Sequence, residues 1–164
     1  MFVGHTIDNE GRLKHLFRCD GECRLNYKLF GDVLAFDATY RKIKYLCPFV
    51  VFSGVNHHNQ TIVFATALVS NETEETYVWL LEQMMEAMEG KAPTSVITDG
   101  DLSIRNAISN VFPGAHHRLC AWNLLCNVVS NVSVPDFMPY LKRCMLGDIK
   151  VSRFEETWDE MVSK

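Results

Sequence analysis

The sequence predicts an α/β layered domain with a mixed five-stranded sheet and flanking helices. Residues 33–36 (Val-Leu-Ala-Phe) form a short unbroken apolar run of the kind that makes a central strand buried on both faces. Two β-rich runs at 49–55 and 61–69 flank the polar stretch His57-His58-Asn59-Gln60, which reads as an antiparallel hairpin. Helical and strand patterns then alternate to about residue 119, and only helical patterns follow. Strand, hairpin, helix, strand, helix, strand is an order that layers helices on a sheet.

Each element has its own signal. The first thirty residues are polar and irregular, with Gly21 and Gly31 as punctuation. The first strand begins after Asp32 and ends at Asp37. Pro48 opens the first arm of the hairpin, and a cationic group of Arg41, Lys42 and Lys44 precedes it. Asn71 and Glu74 stand in capping-box register before Tyr77, Leu80, Leu81, Met84, Met85 and Met88, which recur at helical spacing. Gly90 and Pro93 close that helix. Residues 95–98 make a short strand ending at Asp99, and Asp101 is placed to cap a helix through Ile104, Ala107, Ile108 and Val111. Pro113-Gly114 ends it, and residues 116–119 form a fifth strand. Trp122, Leu125, Val129 and Val132 line one later helix, and Tyr140, Leu141, Cys144 and Met145 another. Ser152 and Glu155 stand in capping-box register at a last helix bearing Phe154, Trp158, Met161 and Val162.

Bulk properties exclude several classes. With 48% hydrophobic and 22% charged residues over 164 positions, the chain has the composition of an ordinary folded domain. No stretch approaches the roughly 20 apolar residues of a membrane helix, and polar residues 8–10 interrupt what would be a signal peptide's apolar region. The six cysteines show no paired short spacings, so they read as reduced thiols. A net charge of −4 gives no sign of the basic face of a nucleic-acid binder.

The residues with chemical promise are Asp37 and Asp99, each ending a strand where fixed backbone opens into a loop. On neighbouring strands the two carboxylates would project into one crevice and repel each other unless a cation lay between them. Hard oxygen-loving ions such as Mg²⁺ or Mn²⁺ suit such a pair and can clamp a phosphoryl transfer. A strand-end aspartate also turns the chain or caps the next helix, and Asp99 precedes one directly. Both roles stand at this point.

The string Phe30-Gly31-Asp32-Val33-Leu34-Ala35-Phe36-Asp37-Ala38-Thr39-Tyr40 resembles the signature of Mutator-like element (MULE) transposases. It equally resembles their plant relatives, the far-red-impaired-response and far-red elongated hypocotyl family of transposase-derived transcription factors. Pro48-Phe49, Gly54-Val55-Asn56-His57-His58, Trp79-Leu80, Ile97-Thr98-Asp99 and His117-Arg118-Leu119-Cys120 follow in that family's order. The likeness runs from about Phe17 to the C-terminus.

The resemblance implies an RNase H-like fold with a catalytic Asp, Asp, Glu set, in which Asp37 matches the first acid and Asp99 the second. The family's third acid lies in a Glu-Ser-x-Asn string beyond a helical insertion, and these 164 residues contain no such string. The expected plan is an irregular segment over 1–29 and a MULE-like domain over 30–164, with a partial C-terminal helical insertion. Glu155, Glu156, Asp159 and Glu160 are expected on a solvated helix face. Where the family often has Cys-x-x-His, this chain has Cys120-Ala121-Trp122-Asn123, a poor zinc-ligand set. His116 and His117 are expected to be hydrogen-bonded. The implied function is nuclear regulation of transcription without catalysis. The implied partners are other family members, transcription regulators or a second copy, with weak DNA contact and no membrane. Zinc belongs to family modules not present in these residues. The alternatives are a metal-dependent transposase or nuclease using Asp37 and Asp99, and a truncated product without a role.

Overall fold

In the computed structural model, which describes residues 1–39, 47–132 and 137–163, the run at 33–36 forms a strand. With the two strands and one helix that precede it, it is β3 (Val33–Thr39). Leu34 and Phe36 are buried, while Val33 is 45% exposed, so β3 is buried on one face only. The expected burial on both faces is corrected here: Val33, Ala35 and Asp37 share the outer side by alternation, and Asp37 keeps contact with water.

β4 (Phe49–Val55) and β5 (Thr61–Leu68) form the predicted hairpin, pairing from Phe49↔Leu68 to Val55↔Thr61. Asn56 builds the turn. Its Oδ1 accepts the backbone N–H groups of His58 (2.9 Å) and Gln60 (3.1 Å), and Asn59 takes positive φ. Close packing fixes Gly54, because a Cβ there would lie 2.5 Å from the Phe64 ring. β3 pairs antiparallel with β4 and parallel with β6 (Ser95–Thr98), and β7 (His116–Leu119) lies beyond β6. The order β5-β4-β3-β6-β7 is the RNase H-like arrangement.

Among the described residues the sheet has seven strands rather than five, and the N-terminal segment is not irregular. β1 (Phe2–Ile7) and β2 (Leu13–Cys19) form a second antiparallel hairpin, and β2 pairs with β5. The signal was weak because the inward positions of β2 are His15, Phe17 and Cys19, only one of them strongly apolar. Helix α1 (Gly21–Phe30) follows, capped by Asp20, whose carboxylate accepts the Cys23 N–H at 2.8 Å. It buries only Tyr27, so it left no hydrophobic stripe to read.

Helix α2 (Glu74–Ala87) buries Tyr77, Leu80, Leu81 and Met84, as its spacing predicts. Its cap is Thr73 rather than Asn71. Asn71 Oδ1 instead accepts the Thr76 hydroxyl at 2.5 Å, bracing the turn from outside. Beyond α2, Glu89 and Gly90 both take positive φ and end the helical path. Helix α3 (Leu102–Val111) is capped by Asp101, which accepts from both Ser103 and Ile104 N–H.

The buried rings meet edge-on or tilted. Tyr27 packs on Phe64 (5.1 Å between centroids), and Phe36 packs on both Phe52 (5.2 Å) and Tyr77 (6.3 Å). Each fully buried Phe contributes about 1.5–3 kcal/mol over exposure.

The chain divides into two compact units, 1–118 and 119–164. The second holds α4 (Ala121–Asn131), α5 (Phe137–Leu146) and α6 (Val151–Val162). Its helices were predicted, but α4 and α5 contain no fully buried residue, and Trp122 is 72% exposed. On α6 the buried pair is Thr157 and Met161, so of the expected stripe Met161 is buried while Phe154, Trp158 and Val162 are exposed. The expected Ser152–Glu155 capping box does not form: the cap is Lys150, without a side-chain bond. Glu155, Glu156, Asp159 and Glu160 are exposed, as expected. The cationic group Arg41, Lys42 and Lys44 lies outside the described residues.

Candidate functional site

Parallel pairing of β3 with β6 brings the two aspartates together. The register runs Val33↔Ser95, Leu34↔Val96, Ala35↔Ile97, a constant offset of 62. Continued by two residues, it sets Asp37 opposite Asp99. Both strands alternate in phase: Leu34, Phe36, Val96 and Thr98 point into the core. Asp37 and Asp99 therefore share the outer side: Asp37 stands inside β3, which runs on to Thr39 rather than ending at Asp37 as expected, and Asp99 stands just past the end of β6.

Electrostatics agree with this placement. The carboxyl of Asp37 is held above the ordinary value of 3.8, first by partial burial, then by the nearby Asp99 charge. The Ala38 backbone N–H opposes that shift, and the Glu72 charge adds to it. Glu72 sits in the loop between β5 and α2, where its Oε1 accepts the Tyr77 hydroxyl at 2.8 Å. Burial and this carboxylate both push the Tyr77 hydroxyl well above its usual range, so it stays a donor.

Behind Asp99 the backbone is fixed by a second layer. Thr98 is 1% exposed. Its hydroxyl lies 2.7 Å from His117 Nε2 and accepts the Gly100 N–H at 3.3 Å. Asp99 Oδ1 accepts the Asp101 N–H at 3.1 Å, so Asp99 turns the chain while Asp101 caps the helix. Of the structural roles open in the sequence, Asp99 takes the chain-turning one and the cap falls to Asp101. Burial and the Arg105 charge lower the His117 pKa, leaving a neutral ring as a structural partner. Sequence reasoning anticipated a hydrogen-bonded His117 but missed Glu72, which carries no periodic signal in a polar loop.

The donor set is hard oxygen, which suits Mg²⁺ or Mn²⁺, ions that commonly take one or two protein carboxylates and complete their shells with water and phosphate. Among the described residues, no group of three His, Cys, Asp or Glu side chains is arranged to hold a metal.

Strand order and site together define an RNase H-like domain with one aspartate on or just past each of two adjacent central strands. The chain belongs to the MULE transposase domain family, whose model matches residues 33–127. Among its relatives in Arabidopsis thaliana, Protein FAR1-RELATED SEQUENCE 5 is 39% identical over 92% of this chain and 20% of the relative. Protein FAR1-RELATED SEQUENCE 7 is 35% identical over 99% of the chain and 22% of the relative. Protein FAR-RED IMPAIRED RESPONSE 1 is 33% identical over 99% of the chain and 20% of the relative. The chain therefore spans about a fifth of the length of these proteins. The catalytic core domain of HTLV-2 integrase in complex with magnesium aligns over 76% of this chain and 81% of that one. At 14% identity and a TM-score of 0.36, that likeness bears no weight for the fold.

Proposed function

We propose that this chain is the central module of a transposase-derived nuclear regulator of transcription of the far-red-response type, working by association with other proteins and without strand cleavage. One observation carries the reading: similarity to FAR-RED IMPAIRED RESPONSE 1 and its related sequences persists over nearly the whole chain. The outer face of the sheet supports association, because Val33, Val55 and Val63 lie exposed on its strands. The partners are other family members, transcription regulators or a second copy, with DNA contact a minor contribution in a chain of net charge −4. The test is a fluorescent fusion in plant cells together with a tethered reporter gene. Nuclear accumulation and a change in reporter output that survives Asp37→Asn and Asp99→Asn support the reading.

The aspartate register favours a second reading, a metal-dependent transposase or nuclease. Asp37 and Asp99 would hold Mg²⁺ or Mn²⁺, which supplies Lewis-acid assistance to phosphoryl transfer. Metal-dependent cleavage of element-end DNA by the purified protein, abolished by both Asp→Asn changes, would replace the first reading with this one.

A further inference from the structure

We propose that His15 is a pH-operated latch, whose Nδ1 holds the Ser70 backbone N–H, and with it the loop carrying Glu72, only while the imidazole is neutral. His15 is 5% exposed, an uncommon degree of burial for a residue that titrates near neutrality. Its Nδ1 accepts the Ser70 N–H at 3.3 Å across 55 residues of sequence, tying β2 to the segment that leaves β5. Accepting at Nδ1 places the neutral ring's single proton on Nε2. The ring rests on Trp79 of α2, 5.3 Å between centroids and tilted 32°.

The tethered loop is short and carries several linked groups. Asn71 reaches Thr76, Thr73 caps α2, and Glu72 accepts the Tyr77 hydroxyl while its charge reaches Asp37. Protonation would put a hydrogen on Nδ1, pointing donor at donor toward Ser70, and would place a cation in a nearly closed site. The charged groups that line the pocket with His15 are Lys14 from its own strand, whose charge acts on the ring, and Glu75 from α2. β1 offers only Thr6 and Ile7 there, and the loop only Asn71 and Thr73, none of which titrates. These residues line an open pocket of about 300 Å³, beside which the buried Thr6 hydroxyl has no partner among the described residues. A released loop therefore has space to move into.

Burial, then the Lys14 charge, holds the His15 pKa below its ordinary 6.5. The unfolded chain thus takes up this proton first as pH falls, so the latch is intact above 6.5 and weakens progressively below it.

The test is NMR on the ¹⁵N-labelled full chain between about pH 7.5 and about pH 5. Ring nitrogen shifts should show the Nε2–H form at the upper pH. Protection of the Ser70 amide, corrected for intrinsic exchange, should fall by up to about tenfold per pH unit as pH drops from 6.5 toward the lowered His15 pKa, and level off below it. His15→Asn, which keeps an acceptor oxygen near the Nδ1 position, should retain protection without the pH dependence, and His15→Phe should lose protection throughout. Flat Ser70 protection in the wild type, an Nδ1–H ring at neutral pH, or the same pH-dependent loss in His15→Asn would overturn the proposal.

Discussion

Asp37 bears its charge against burial, against Asp99 and against Glu72, and the consequence is measurable in stability. Its folded-state pKa lies above the ordinary 3.8, so the folded chain binds that proton more readily than the unfolded one. The ionised side chain opposes folding at neutral pH, and this opposition fades as pH falls through the raised value. Asp37→Asn should therefore stabilise the chain slightly in metal-free buffer, by under about 1 kcal/mol because the residue meets solvent. Thermal melts check the sign. Mg²⁺ should raise the wild-type midpoint and leave the Asp37→Asn midpoint unchanged if the pair holds the ion. This pair was legible in the sequence because Asp37 follows an unbroken apolar run and Asp99 follows a short β-branched one. The Glu72 contribution was not, since its position depends on how the loop after β5 is tied down by His15, Asn71 and Tyr77.

Among the elements, the capping assignments discriminate sharply. Asp101 accepts two N–H groups at the start of α3, and Thr73 accepts one at the start of α2. Asp101→Ala and Thr73→Ala should each cost about 1 kcal/mol, with Asp101 the larger, whereas Ser152→Ala should cost nearly nothing. Urea melts of the three variants test the order. Gly54→Ala in β4 forces a methyl against the Phe64 ring and should cost about 1–3 kcal/mol. Elements with apolar side chains at the inward positions were readable in advance: β3, the β4–β5 hairpin, α2 and α3. β2 and α1 were not, because their inward side chains include a histidine, a cysteine and a lone tyrosine, none of which registers as a hydrophobic period. The sequence likewise placed the α6 stripe on Phe154, Trp158, Met161 and Val162, of which Met161 is buried, joined by Thr157, whose polar side chain gave no signal.

For the molecule as a whole, core and helical tail differ in kind. The aromatic and aliphatic core cluster lies entirely between Phe17 and Phe112, within the first unit. A fragment of residues 1–118 should therefore keep a cooperative melt and the near-ultraviolet signature of packed aromatics. A peptide of residues 119–164 should show little helix alone, since isolated helices of 10–12 residues are marginal in water and these three bury only Thr157 and Met161. Circular dichroism of both pieces checks this. The pairing of β3 with β6 also has a kinetic consequence. Its partners lie 62 positions apart, whereas the β4–β5 hairpin closes within a few residues of its turn. Contacts of long sequence separation pay their loop-closure entropy before they return any energy, so they form slowly. In a nascent or half-refolded chain, Asp37 and Asp99 are therefore two unrelated, freely hydrated carboxylates, and their mutual repulsion arises only when the sheet closes across its middle.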